Sequence, residues 1–144
     1  PEGTSEKTVV SAPTVKEKLM HGTETIVVVE DDEAVRSLAK TALETFGYTV
    51  IAVTNGKDAV DYLLQNEGKV HLVLTDVIMP GMNGVEISEA INKLAPDVPL
   101  VFMSGYSADI IHKRSLLKEN SEIIAKPFTP TVLLKKVREV LDKK

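Results

Sequence analysis

The sequence predicts an α/β fold: a doubly wound, five-stranded parallel sheet with helices on both faces. Three observations predict it. Five short apolar runs recur along the chain, segments of helical spacing separate them, and polar residues follow at once where four of the runs end. Strand and helix in strict alternation imply a parallel sheet covered on both sides, with right-handed crossovers.

The elements follow in order. The apolar runs are residues 26–29 (IVVV), 48–53 (YTVIAV), 71–75 (HLVLT), 99–103 (PLVFM) and 122–125 (EIIA). After the first run, Val35, Leu38, Ala42 and Phe46 recur at about 3.6 residues, and Gly47 supplies a stop. Ala59, Leu63 and Leu64 mark a second helix, ended near Gly68. Asn83 followed by Glu86 resembles a capping box opening a third, with Ile87, Ile91 and Leu94 on its inner face. Ser107 can cap a fourth through about Glu119. A fifth carries Leu133, Val137, Val140 and Leu141, with lysines near its negative end. Residues 1–24 mix Ser, Thr, Pro and charge without sustained periodicity and read as a linker or tail, leaving 25–144 as one domain.

Composition narrows the function. A chain of 144 residues with 43% hydrophobic content can bury the core of one ordinary domain. A net charge of -4 argues against a nucleic-acid surface, which needs a clustered basic face. No run approaches the roughly 18 apolar residues of a membrane span. Without cysteine there is neither a disulfide framework nor thiolate chemistry, which suits a cytoplasmic setting.

Ligands of an open parallel sheet bind beyond the carboxyl ends of its strands. Glu30, Asp31 and Asp32 follow the first run, Asp76 the third, Ser104 and Gly105 the fourth, and Lys126 and Pro127 the fifth. Carboxylates so crowded repel one another unless partnered. A hard divalent cation relieves this, and Mg²⁺ favours one or two carboxylates with other oxygen ligands. Beside an ammonium and a hydroxyl, such an ion suits the equatorial oxygens of a phosphoryl group. Asp76, centred on the rim, is the candidate nucleophile, giving an acyl phosphate. Ser104 would donate to one phosphoryl oxygen and Lys126 would neutralise another. Taken singly, Asp32 reads as a helix N-cap, Ser104 as turn chemistry and Lys126 as a solvated lysine. Four strand ends carrying fitting residues together favour the site.

These motifs resemble the receiver domain of two-component response regulators over about residues 25–142. VVVEDDEAVR (27–36) is similar to that family's acidic pair, on Glu30 and Asp31, and TDVIMPGMNG (75–84) to its phosphoacceptor loop, on Asp76. FMSGY (102–106) places the hydroxyl on Ser104, and AKPF (125–128) the lysine on Lys126. The resemblance implies the flavodoxin-like strand order 2-1-3-4-5. It also implies Mg²⁺ (or Mn²⁺) held by the carboxylates of Asp31 and Asp76 and the backbone carbonyl of Ile78, with Glu30 acting through water. Lys126–Pro127 would be cis, Pro80 and Gly81 would shape the loop, and Gly84 would lie where the third helix starts. One departure stands out. The family's switch aromatic, three residues before the lysine, is here Ile123, so Tyr106 would cover the site instead.

The resemblance further implies phosphoryl transfer from a histidine kinase or a histidine phosphotransfer domain to Asp76, then slow self-dephosphorylation. Such a domain catalyses its own phosphorylation but works as a switch, drawing Ser104 inward. Its output face would be the fourth predicted helix, the fifth strand and the fifth predicted helix, touching a protein rather than nucleic acid or membrane. The ending at VREVLDKK leaves no room for a DNA-binding domain. The expectation is therefore the C-terminal receiver of a hybrid sensor histidine kinase, whose parent chain can be membrane-associated; the alternative is a stand-alone regulator. A flavin carrier would need a phosphate loop where EDDE stands. A phosphohydrolase with an aspartyl-phosphate intermediate would need a second carboxylate at Ile78. His21, His71 and His112 read as ordinary histidines, not phosphorylation sites.

Overall fold

The computed structural model describes residues 21–77, 84–105 and 122–143. Within them lie β1 (Thr25–Val29), α1 (Glu33–Thr45), β2 (Thr49–Val53), α2 (Gly56–Gln65), β3 (Leu72–Asp76), α3 (Gly84–Leu94), β4 (Leu100–Ser104), β5 (Glu122–Ala125) and α4 (Pro130–Asp142). The strands form one sheet in the order β2-β1-β3-β4-β5, every pairing parallel. The predicted fourth helix, over 107–119, and the Asn83 end of the capping box lie outside the described residues.

Alternation along β1 builds both layers. Successive strand residues point to opposite faces. Ile26 and Val28 enter one core with Ala39, Ala42 and Leu43 of α1 and Leu133, Leu134 and Val137 of α4. Val27 and Val29 enter the other with Ala59 and Leu63 of α2 and Ile91 of α3. No surface of these four β1 residues is exposed, as expected of a strand covered on both faces. Val28 pairs with Ala52 on one side and Leu74 on the other, which fixes the register.

Helix starts follow local chemistry. Asp32 caps α1, accepting from the backbone N–H of Ala34 and Val35; Asn55 caps α2 through Asp58 N–H; Thr129 caps α4 ahead of Pro130. Two of the apolar residues that mark these helices in the sequence are exposed. Leu38 lies about 80° around α1 from the centre of the stripe formed by Val35, Ala39, Ala42, Leu43 and Phe46. Leu64 is turned about 100° from its neighbour Leu63, which takes the buried position. Two strands also run one residue further than their apolar runs. Asp76 ends β3 and Ser104 ends β4, because sheet pairing continues through Asp76↔Met103 and Ser104↔Ala125.

Residues 21–24 are bonded to the domain ahead of β1. Gly22 N–H donates to the Phe46 carbonyl (3.1 Å), and Thr49 N–H donates to the Glu24 carbonyl (3.1 Å). Arg138 of α4 ties this segment down: Nη2 and Nη1 donate to the Glu24 carboxylate at 2.7 and 3.1 Å, and Nη1 also reaches the His21 carbonyl and Tyr48 Oη. The hydrogen bond from Arg138 is the main reason the Glu24 carboxyl is held below the usual range, against some opposition from burial. A side chain at Gly22 would strike Tyr48 and Arg138. Gly47 has φ +103°, and a Cβ there would run into the Gly22 carbonyl, so both conformation and space demand glycine.

Two outcomes test this packing. Leu43→Ala is expected to lower unfolding free energy by about 3 kcal/mol, and Leu38→Ala by less than about 1 kcal/mol, in urea titrations. Arg138→Ala should cost about 2 kcal/mol, since it removes several hydrogen bonds to a charged donor. Glu24 has a depressed folded-state pKa, so its contribution is complete above the ordinary glutamate range and is lost as pH falls through the folded-state value. The stability gap between wild type and Glu24→Gln should accordingly close on acidification.

Candidate functional site

Parallel pairing brings the carboxyl ends of β1, β3, β4 and β5 to one rim. Backbone hydrogen bonds continue just past the strands: Glu30 N–H to the Val53 carbonyl (3.1 Å), Val77 N–H to the Met103 carbonyl (3.0 Å) and Lys126 N–H to the Ser104 carbonyl (2.7 Å). Glu30, Asp76, Ser104 and Lys126 are therefore placed by the sheet rather than by a free loop. Glu30 is fully buried, Asp76 is 9% exposed and Ser104 2%, whereas Asp31 is exposed.

Lys126 supplies the countercharge. Its Nζ lies 2.8 Å from Glu30 Oε2 and 3.1 Å from Asp76 Oδ2, donating a hydrogen bond to the latter. Glu30 Oε1 accepts from Asp32 N–H at 3.1 Å. The Lys126–Glu30 approach is an ion pair by distance and is poorly aligned for a hydrogen bond. Glu30 Oε2 thus has no aligned donor among the described residues, although it is buried. Burial pushes the Glu30 carboxyl above the usual range; the Lys126 ammonium and Asp32 amide pull it back, while the Asp76 charge adds to the rise. Burial disfavours the Lys126 ammonium, but Glu30 and Asp76 outweigh it and leave its pKa above the usual lysine value.

One carboxylate oxygen each from Glu30, Asp31 and Asp76 lies within 4.8 Å of the other two. That is close enough for one small cation, and all three are the hard oxygen donors such ions select. A buried carboxylate oxygen with no aligned donor is what a cation would satisfy. Ser104 ends the strand beside Asp76, and Lys126–Pro127 is cis. Ile123 pairs with Phe102 and packs, half buried, near Val77, the residue after Asp76. Gly84 opens α3. Ile78, Pro80, Gly81 and Tyr106 lie outside the described residues. His71 Nδ1 accepts from Thr25 N–H at the far end of β1, and the His21 ring packs on Phe46. One contact of the acidic turn escaped the sequence reading: Arg36 Nη1 donates to the Glu30 carbonyl at 2.9 Å. A cation one turn into α1, where the helix dipole favours acids, was the available signal.

Comparison with known proteins shows the family of the chain. The family profile described as the response regulator receiver domain matches residues 26–138. The chain belongs to that family. It is 33% identical over 124 residues to the sensor kinase CckA of Brucella abortus, covering 86% of this chain and 13% of the kinase. It is 31% identical over 116 residues to the response regulator receiver protein CpdR of the same organism, covering 81% of this chain and 95% of CpdR. Among solved structures it resembles the response regulator TrrA of Thermotoga maritima in complex with Mg²⁺ and BeF, at TM-score 0.71 and 28% identity over 81% of this chain and 98% of that one.

Removing one member of a buried ion pair leaves the other uncompensated. Lys126→Met is therefore expected to destabilise the metal-free protein by about 2 kcal/mol, below the ~3–5 kcal/mol of a fully buried pair because the Lys126 side chain is 20% exposed. Urea unfolding in the presence of a chelator measures this, and added Mg²⁺ should recover part of the loss.

Proposed function

We propose that the domain accepts a phosphoryl group on Asp76 from the phosphohistidine of a kinase or a histidine phosphotransfer domain. The observation that carries this is the buried Glu30 oxygen without an aligned donor, set beside Asp31, Asp76 and Lys126. Glu30, Asp31 and Asp76 would hold Mg²⁺ (or Mn²⁺), together with the Ile78 carbonyl. When bound, the ion supplies positive charge against the oxygens of the transferring group.

An Asp76 carboxylate oxygen attacks phosphorus. The P–N bond breaks, its electron pair returns to the imidazole nitrogen, and Asp76 becomes an acyl phosphate. Lys126, released from the Asp76 carboxylate as that charge is esterified, neutralises a phosphoryl oxygen. Ser104 donates to another, and its inward movement biases the domain toward an active arrangement. Attack of water on phosphorus later returns inorganic phosphate and the Asp76 carboxylate, so the domain has autophosphatase activity but acts as a switch. Ile123 and Tyr106 would govern access to the site. Output would run through the predicted fourth helix, β5 and α4 to a protein partner, without contact to nucleic acid or membrane.

The match to a sensor kinase supports a place within a longer hybrid histidine kinase, with residues 1–24 as the linker and the domain in the cytoplasm. The match across 95% of CpdR favours a second reading, a stand-alone regulator. The size of the endogenous chain on an immunoblot separates the two. No helix among the described residues is long and apolar enough to cross a membrane.

Intact mass after incubation with acetyl phosphate tests the chemistry. Wild type should gain one phosphoryl group with Mg²⁺ and none with a chelator, and Asp76→Asn should gain none. An adduct that persists in Asp76→Asn would move the acceptor elsewhere.

A further inference from the structure

We infer that Arg36 is a positioning residue that sets the shape of the acidic turn between β1 and α1, and with it the affinity of the site for a divalent cation. This rests on the reading of Glu30, Asp31 and Asp76 as cation ligands. The first observation is a choice of partner. Four acidic residues, Glu30 to Glu33, stand within six positions of Arg36, yet no ion pair joins its guanidinium to a carboxylate among the described residues. Its hydrogen bond goes to the Glu30 backbone carbonyl, at 2.9 Å. The cation is used as a pin on the backbone.

The second observation is what that pin controls. Glu30 N–H is held by the Val53 carbonyl and Glu30 Oε1 by Asp32 N–H, while the Asp32 carboxylate is committed to capping α1. Asp31 lies between them, exposed, and no donor among the described residues touches its carboxylate. The backbone sets the direction in which its Cα–Cβ bond departs. The Glu30 carbonyl belongs to the planar peptide that leads into Asp31. Fixing that carbonyl fixes the plane from which the Asp31 side chain departs, and so favours the directions that bring its oxygen near those of Glu30 and Asp76. Without Arg36 the plane can rotate, a half-buried carbonyl loses its donor, and the cluster opens.

The sign of the effect separates this role from a charge effect. A guanidinium near three carboxylates repels a cation, so its removal would by charge alone tighten binding. A positioning residue predicts the reverse. Mg²⁺ affinity is measured by calorimetry on the 144-residue chain, as wild type, Arg36→Met, Arg36→Lys and Lys40→Ala. Arg36→Met keeps the apolar stem and removes the donors. It is expected to bind Mg²⁺ roughly 10- to 100-fold more weakly, the range seen when a residue supporting metal ligands is removed. Arg36→Lys should fall in between, and Lys40→Ala, which removes a cation from the same helix, should match wild type. Phosphoryl incorporation in Arg36→Met should return close to wild type once Mg²⁺ is raised to saturation. Equal or tighter Mg²⁺ binding by Arg36→Met overturns the inference while leaving the proposed function standing. Should Arg36→Met fail to fold, Arg36→Gln, too short to span the same distance, is read by the same criterion. Wild type that binds no Mg²⁺ at all defeats the proposed function and this inference with it.

Discussion

Two carboxylates and one ammonium hold the rim of this domain together. Glu30 is a buried carboxyl, and its ionised form is costly there unless a partner is close. Lys126 is that partner, and it serves Asp76 as well. The contact requires β1, β3 and β5 to end at the same level, with β4 between the last two. Parallel strands meet that requirement, because every strand then ends on the same edge. The order 2-1-3-4-5 can thus be understood from its centre: β1 and β3, adjacent and central, carry the acids, and β5 reaches over β4 to bring the base.

The same crowding that holds the rim also makes it responsive. Lys126 lies against two acids at once, beside an exposed Asp31. Anything that changes the charge on Asp76 changes what Lys126 must balance. Esterifying Asp76 would free the ammonium and alter the Asp76–Val77 region, against which Phe102 and Ile123 pack. Packed side chains therefore lead from Val77, the neighbour of Asp76, to β5 without an aromatic at position 123.

The two ends of the sheet divide the labour. Acids and base gather at the carboxyl ends of the strands. At the amino ends, about 16 Å away along a five-residue strand, Arg138 binds residues 21–24 to α4 and to the start of β2. The segment leading into β1 is thereby joined to a helix of the proposed output face. The Gly22–Gly47 contact shows how closely this junction is packed.

Much of this was legible in the amino-acid sequence. Alternating apolar runs and helical spacing determined the class of fold, because burying a two-sided parallel sheet needs nearly continuous apolar strands. The placement of Glu30, Asp31, Asp76, Ser104 and Lys126 on one rim was legible too, because parallel strands all end on the same edge. Helix faces were less legible. Leu38 and Leu64 fit a helical period, yet burial went to Leu43 and Leu63, since the angle at which a helix meets the sheet depends on neighbours distant in sequence. The role of Arg36 was hidden for a similar reason: its partner is a backbone carbonyl, and every residue has one. The tie between Arg138 and Glu24 joins residues 114 positions apart, and only the closing of the fold could bring them together.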